Sequence, residues 1–98
     1  MAYATLSSWT ATEWSDELEE IARSKFIPLI MGVGASAVQM IRTGEYSLTV
    51  VTHYSDEETA IAAQEKIAEI RATAADELPL SMEAAAGGEV FASGLAAP

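Results

Sequence analysis

The spacing of apolar and polar positions changes period along the chain, and each change marks an element. Tyr3 to Trp9, rich in aromatic and hydroxyl residues, reads as a first strand. Beyond it, Trp14, Leu18, Ile21, Ala22, Lys25 and Leu29 recur every three or four residues, while Glu13, Asp16, Glu17, Glu19 and Glu20 fall mostly off that stripe. This is the pattern of an amphipathic helix, with Lys25 contributing its aliphatic stem. Thr10 and Glu13 fit a capping box, and Trp9 and Trp14 occupy the N′ and N4 positions of a hydrophobic staple. The acidic first turns complement the positive end of the helix dipole. Pro28 predicts a kink or an end, and Gly32 and Gly34 predict the exit from the helix.

Ala37 to Arg42 and Glu45 to Tyr54 read as strands joined by a tight turn at Thr43 and Gly44. With Arg42 opposite Glu45, Ile41 pairs with Tyr46, Gln39 with Leu48 and Ala37 with Val50, while Met40 meets Ser47 and Val38 meets Thr49 on the other face. Both faces then carry apolar groups, so one is expected beneath helices and the other at least partly covered by something else. A second helix starts near Ser55, with Ser55 and Glu58 as a capping box. Its narrow stripe is Ala60, Ile61, Gln64, Ile67, Ala68, Arg71, Ala74, Ala75 and Leu78, and Pro79 stops it. Leu80 to Ser93 is the last strand, in which Gly87 and Gly88 predict a bulge or bend. The order β, α, β, β, α, β gives an α+β, ferredoxin-like fold: a four-stranded antiparallel sheet with two helices on one face. It forms a single domain over residues 1–94, with 95–98 as a C-terminal tail.

Composition bears mainly on partners. Half of the 98 residues are hydrophobic, which suits an ordered chain with one core, yet the sheet is expected to lack cover on one face unless a partner subunit supplies it. Fifteen acidic against five basic residues give a net charge of −10, which repels nucleic acid and anionic lipid surfaces. The uncharged stretch Phe26 to Ile41 is broken by Pro28, Gly32 and Gly34 and falls short of the roughly 20 apolar residues of a membrane span. The N-terminus has neither a basic region nor a long apolar run, so the cytoplasm is the expected setting. Without cysteine and with one histidine, the chain offers no zinc set, and no cofactor is expected.

The passage EYSLTVVTHYSDEETAIAAQEKI, in which a central strand runs through an aromatic and an acidic cap into a helix, resembles the antibiotic-biosynthesis-monooxygenase-like group of the dimeric α/β-barrel superfamily. The resemblance implies a homodimer whose two sheets pack into a shared barrel, with helices outside and small-molecule cavities between each sheet and its helices. Members include oxygenases that need neither metal nor flavin, isomerase-like enzymes and proteins of no known activity. Several carry a histidine on the helix after the cap and a carboxylate near the end of the preceding strand. Here those positions hold Ala63 and Gln64, and Thr52 and His53, so that acid/base pair is missing.

Among individual residues, His53 has the side chain best suited to acid/base work near neutral pH, but its strand neighbour Tyr54 points to the opposite face, and the simplest role for His53 is structural. Tyr46 could place a phenol in a cavity, or sit at the rim with its hydroxyl in water. Trp9 and Trp14 could stack on a planar ligand, although the helix staple is the expectation for both. The acidic groups at 16–20 and 56–58 read as solvated first turns rather than a metal site. GVGAS follows a helix and precedes a strand, the reverse of a phosphate-binding glycine loop. The leading expectation is a homodimer that binds a small apolar molecule between sheet and helices, in a pocket lined by Trp14, Leu18, Ile21, Tyr46, Leu48 and Val50. One alternative is a cofactor-independent monooxygenase acting on an aromatic or quinone-like substrate, with His53 or Tyr46 assisting proton removal. The other is a purely structural or interaction module.

Overall fold

The computed structural model describes residues 2–94 and 96; most of the expected tail 95–98 lies outside the described residues. The elements are β1 (Tyr3–Ala11), α1 (Asp16–Ile21), a π-helical turn (Ala22–Phe26), α2 (Ile27–Gly32), β2 (Ala37–Gly44), β3 (Ser47–Tyr54), α3 (Glu57–Glu77) and β4 (Leu80–Glu89). The strands form one antiparallel sheet in the order β2-β3-β1-β4, with the helices packed on one face, which is the expected ferredoxin-like arrangement.

Alternation along β1 and β3 sets the two faces. Thr5, Ser7 and Trp9 are buried beneath the helices together with Leu48, Thr52 and Tyr54. Leu6, Val51, Ile41 and His53 lie on the other face, where Leu6 and Ile41 are exposed. The core has two parts. Tyr54, Ile30, Ala60, Ala63 and Ile67 form one, and Trp9, Phe26, Leu48, Ala74 and Leu78 the other; Met40, Val50 and Ile70 pack against both.

The first helix departs from its expected start, path and buried face. Thr10 and Trp9 belong to β1, so the capping box Thr10/Glu13 and the staple Trp9/Trp14 do not form. The N-cap is Ser15, whose Oγ accepts from the backbone N–H of Leu18 at 3.1 Å. Pro28 neither kinks the helix to a stop nor ends it. It has no N–H and its ring crowds the carbonyl four residues back, and just ahead of it the helix widens into the π turn, where the N–H of Ile27 reaches the carbonyl of Ala22. That wider turn carries one extra residue, which rotates the buried stripe from Lys25 and Leu29 to Phe26 and Ile30. Leu29 is left exposed.

The β2–β3 hairpin also differs. Its turn is Glu45–Tyr46, closed by Gly44 opposite Ser47, with a bulge between Arg42 and Gly44. Arg42 holds this wider turn by donating from Nε to the Gly44 carbonyl at 3.2 Å and from Nη2 to the Glu45 carbonyl at 2.7 Å. Arg42 therefore pairs with Leu48, Met40 with Val50 and Val38 with Thr52. Because the offset from the expected register is an odd number of residues, it exchanges the faces of one strand against the other.

At α3 the cap is Asp56, one residue after the expected Ser55. Its Oδ1 accepts from the backbone N–H of Thr59 at 2.8 Å and from the Thr59 hydroxyl at 2.7 Å. The helix buries Ala60, Ala63, Ile67 and Ala74 and leaves Ile61 exposed. It ends at Glu77, as Pro79 requires. The bulge in β4 is at Glu83, which is left unpaired between the Ser8 partner Ala84 and the Trp9 partner Met82, while Gly87 and Gly88 pair regularly with Thr5 and Ala4. Gly87 instead makes room for an aromatic ring, since a Cβ there would stand 3.0 Å from the Tyr3 hydroxyl.

Candidate functional site

Between the sheet and the helices lies a cavity of about 370 Å³, within the range of small-molecule pockets. The sheet supplies its floor. Trp9 from β1 and Leu48, Val50 and Thr52 from β3 lie side by side because β1 and β3 pair with Trp9 opposite Leu48 and Ser7 opposite Val50. The first helical stretch supplies one wall through Leu18, Phe26 and Ile30, and α3 the other through Ile67, Ile70 and Ala74. Phe26 is only 2% exposed, and it faces the cavity because of the π turn.

The two indoles are fixed by hydrogen bonds of different kinds. Trp9 Nε1 donates to Ser7 Oγ at 2.8 Å, which satisfies the one polar atom of a buried indole. Trp14 lies half-buried in the connection before α1, where its Nε1 donates to Glu19 Oε2 at 2.7 Å. The Arg42 guanidinium stands 4.3 Å from the Trp14 ring centroid, a cation–π stack. Arg42, Trp14 and Glu19 thus form a bonded chain of side chains in the cavity wall.

Arg71 reaches the cavity from α3 and also lines a smaller pocket of about 310 Å³ bordered by Tyr3, Thr5, Gln64 and Gly87. Near it is Tyr54, 1% exposed, whose hydroxyl is buried and has no hydrogen-bond partner among the described residues. Burial pushes the Tyr54 phenol above its ordinary value of 10.0, against the opposing pull of the Arg71 charge and of the Thr5 side chain, which stands close without completing a hydrogen bond.

Of the residues expected at the site, Trp14, Leu18, Leu48 and Val50 line the cavity. Ile21 packs against the core beside it but does not line it. Tyr46 is 49% exposed in the hairpin turn, because the turn falls two residues later than expected and leaves it outside the strand. His53 is on the opposite face of the sheet, between Ala4 and Ala37, and its carbonyl accepts from the backbone N–H and hydroxyl of Ser36. Neither of the weak acid/base candidates therefore reaches this cavity. Among the described residues there is also no cluster of three or more metal-ligating side chains.

Phe26, Arg42 and Arg71 are wall residues that pattern reading missed. The first two depended on the π turn and the hairpin bulge. Arg71 did carry a signal, as a charged residue within an alanine stripe.

No protein-family model matches the sequence, and no curated protein matches it. Similar folds do occur among solved structures. HapK from Hahella chejuensis superposes with a TM-score of 0.75 at 13% identity, covering 98% of this chain and 99% of that one. A dimeric ferredoxin-like protein from an uncultured marine organism gives 0.68 at 14% identity, over 98% and 100% of the two chains. SnoaB, a cofactor-independent oxygenase from Streptomyces nogalater, gives 0.69 at 13% identity, over 94% and 95%. These likenesses are of fold, and the ferredoxin-like arrangement they share is the one that the order of elements leads one to expect.

Proposed function

We propose that this protein binds a small, largely apolar molecule in the cavity between its sheet and its helices, and that it does so in the cytoplasm as a homodimer joined through the outer sheet faces. The observation that carries the binding reading is the cavity itself: about 370 Å³, partly open to solvent and walled by Trp9, Phe26, Leu48 and their aliphatic neighbours. A structural module would have closed this space with larger side chains than Val50 and Ala74.

The dimer reading rests on the outer face. Leu6, Ile41 and Val51 form an uncharged patch there, on a chain of net charge −10, and the marine ferredoxin-like relative in fold is dimeric. Facing sheets would cover this patch without touching the cavity, which lies behind the sheet. Native mass spectrometry of freshly purified protein tests both parts. We expect a pair of 10.4 kDa chains with a retained small molecule, and a bare monomer would refute the account.

A second reading, cofactor-independent oxygenation of an aromatic or quinone-like substrate, is favoured by the likeness in fold to SnoaB. With His53 and Tyr46 outside the cavity, proton removal would fall to the substrate's own acidity beside the arginines. Oxygen uptake with a hydroxyanthrone, measured against protein-free buffer, separates the readings: uptake that rises with protein concentration supports oxygenation, and uptake equal to the buffer's leaves binding alone.

A further inference from the structure

The basic residues of this acidic chain are unevenly placed. Of five, Arg23, Arg42 and Arg71 line the large cavity, whereas of fifteen acidic residues only Glu19, among the described residues, does so. Most of these charges are already engaged. Arg23 Nη1 meets Glu20 Oε2 at 2.8 Å, Arg42 is spread over Trp14 and two carbonyls, and Glu19 accepts the Trp14 indole. Arg71 differs. It is half-buried and has no hydrogen-bond or ion-pair partner among the described residues, although carboxylates outnumber cations three to one in the chain. Its guanidinium stands in the cavity wall with no acceptor on it among the described residues, and its planar fork suits a two-oxygen anion.

We propose that the cavity selects a planar apolar molecule bearing one negative charge, with the anion seated on Arg71 and the rings along Trp9, Trp14 and Phe26. The anion is a carboxylate, sulfonate, phenolate or enolate, all of which present oxygen acceptors to the same fork. This deepens the binding reading and rests on it. A net charge of −10 repels anions at long range, so such a ligand is held only by a local cation that its apolar body can reach.

The test uses two fluorescent probes with the same aromatic body, the anionic 8-anilinonaphthalene-1-sulfonate and the neutral N-phenyl-1-naphthylamine, titrated into wild-type protein and Arg71→Gln. Loss of one charge-assisted contact is expected to weaken the anionic probe about tenfold or more and the neutral probe less than about twofold. Equal effects on the two probes, or no effect on the anionic one, would overturn the inference. In wild-type protein the Arg71 Nε–Hε NMR cross-peak is expected to shift with the sulfonate and to hold still with the neutral probe, a readout that survives even if the variant misfolds; a peak unmoved by a bound sulfonate refutes the seat on Arg71. Binding of the neutral probe alone refutes the anion while sparing the cavity reading, and binding of neither refutes both.

Discussion

Replacing Tyr54 by phenylalanine is expected to stabilise the protein, the opposite of the usual outcome for a buried tyrosine. The ring of Tyr54 is almost fully enclosed by Ile30, Ala35, Ala60, Ala63 and Ile67, so phenylalanine retains every apolar contact. What the substitution removes is a hydroxyl that has lost its water and gained no partner. Such an orphaned group costs about 1–3 kcal/mol, whereas a satisfied one contributes about 1 kcal/mol. Deleting one oxygen leaves a hole far smaller than a side chain, so the net gain is expected near 1 kcal/mol, or about 4–8 °C in Tm for a domain of this size.

The pH dependence provides a second handle with a fixed sign. Burial raises the folded-state phenol above 10.0, so at alkaline pH the unfolded chain ionises first and binds fewer protons than the folded one. The contribution of Tyr54 is therefore complete below pH 10.0 and is lost as the pH climbs through the folded value. In Tyr54→Phe that alkaline loss should shrink. Urea unfolding at neutral and alkaline pH measures both effects. A variant less stable than wild type by about 1 kcal/mol at neutral pH would show that Thr5 or a water satisfies the hydroxyl, and would refute the reasoning.

Gly34 is the one described residue with a left-handed backbone, at φ 110°, where α2 turns toward β2. Gly34→Ala should cost about 1 kcal/mol or more in urea unfolding, and an unchanged midpoint would refute the strain. The Asp56 carboxyl is held below its ordinary value of 3.8 by the Thr59 hydroxyl and backbone N–H, so its cap stabilises above that pH and fades as pH falls through the lower folded value. The stability gap between wild type and Asp56→Ala should accordingly be open near neutrality and closed in acid, and a gap that is constant with pH would count against the cap. Ile41→Lys places a charge on the outer sheet face and should yield monomers by light scattering while leaving probe binding in the cavity intact.

The fold was legible in the sequence because its signals are local and redundant. Pro79 and the Gly32–Gly34 exit bound their helices, alternation marks β1 and β3, and the order of elements admits few topologies. The site was less legible because its walls depend on features that shift by one to three residues. Nothing in the spacing of Trp14, Leu18, Lys25 and Leu29 announces a π turn, since the same residues fit a regular helix equally well; only the demand of Phe26 and Ile30 for burial decides it. The hairpin is similar. By composition Thr43–Gly44 is the better tight turn, since it holds the glycine; the observed turn at Glu45–Tyr46 has no residue of positive φ and goes with the bulge between Arg42 and Gly44, where the Arg42 guanidinium bridges the Gly44 and Glu45 carbonyls.

These small shifts together concentrate the cavity's character. With the turn at its expected place, Tyr46 would have faced inward beside Leu48, and with a regular first helix Lys25 and Leu29 would have stood where Phe26 and Ile30 now pack. The observed shifts exchange a phenol and a lysine stem for Arg42 stacked on Trp14 and for the Phe26 ring. The result is an aromatic chamber that neither His53 nor Tyr46 reaches and that three of the five basic residues line. In such a chamber a negative charge on the ligand would be met at Arg71, which is half-buried and has no side-chain partner among the described residues.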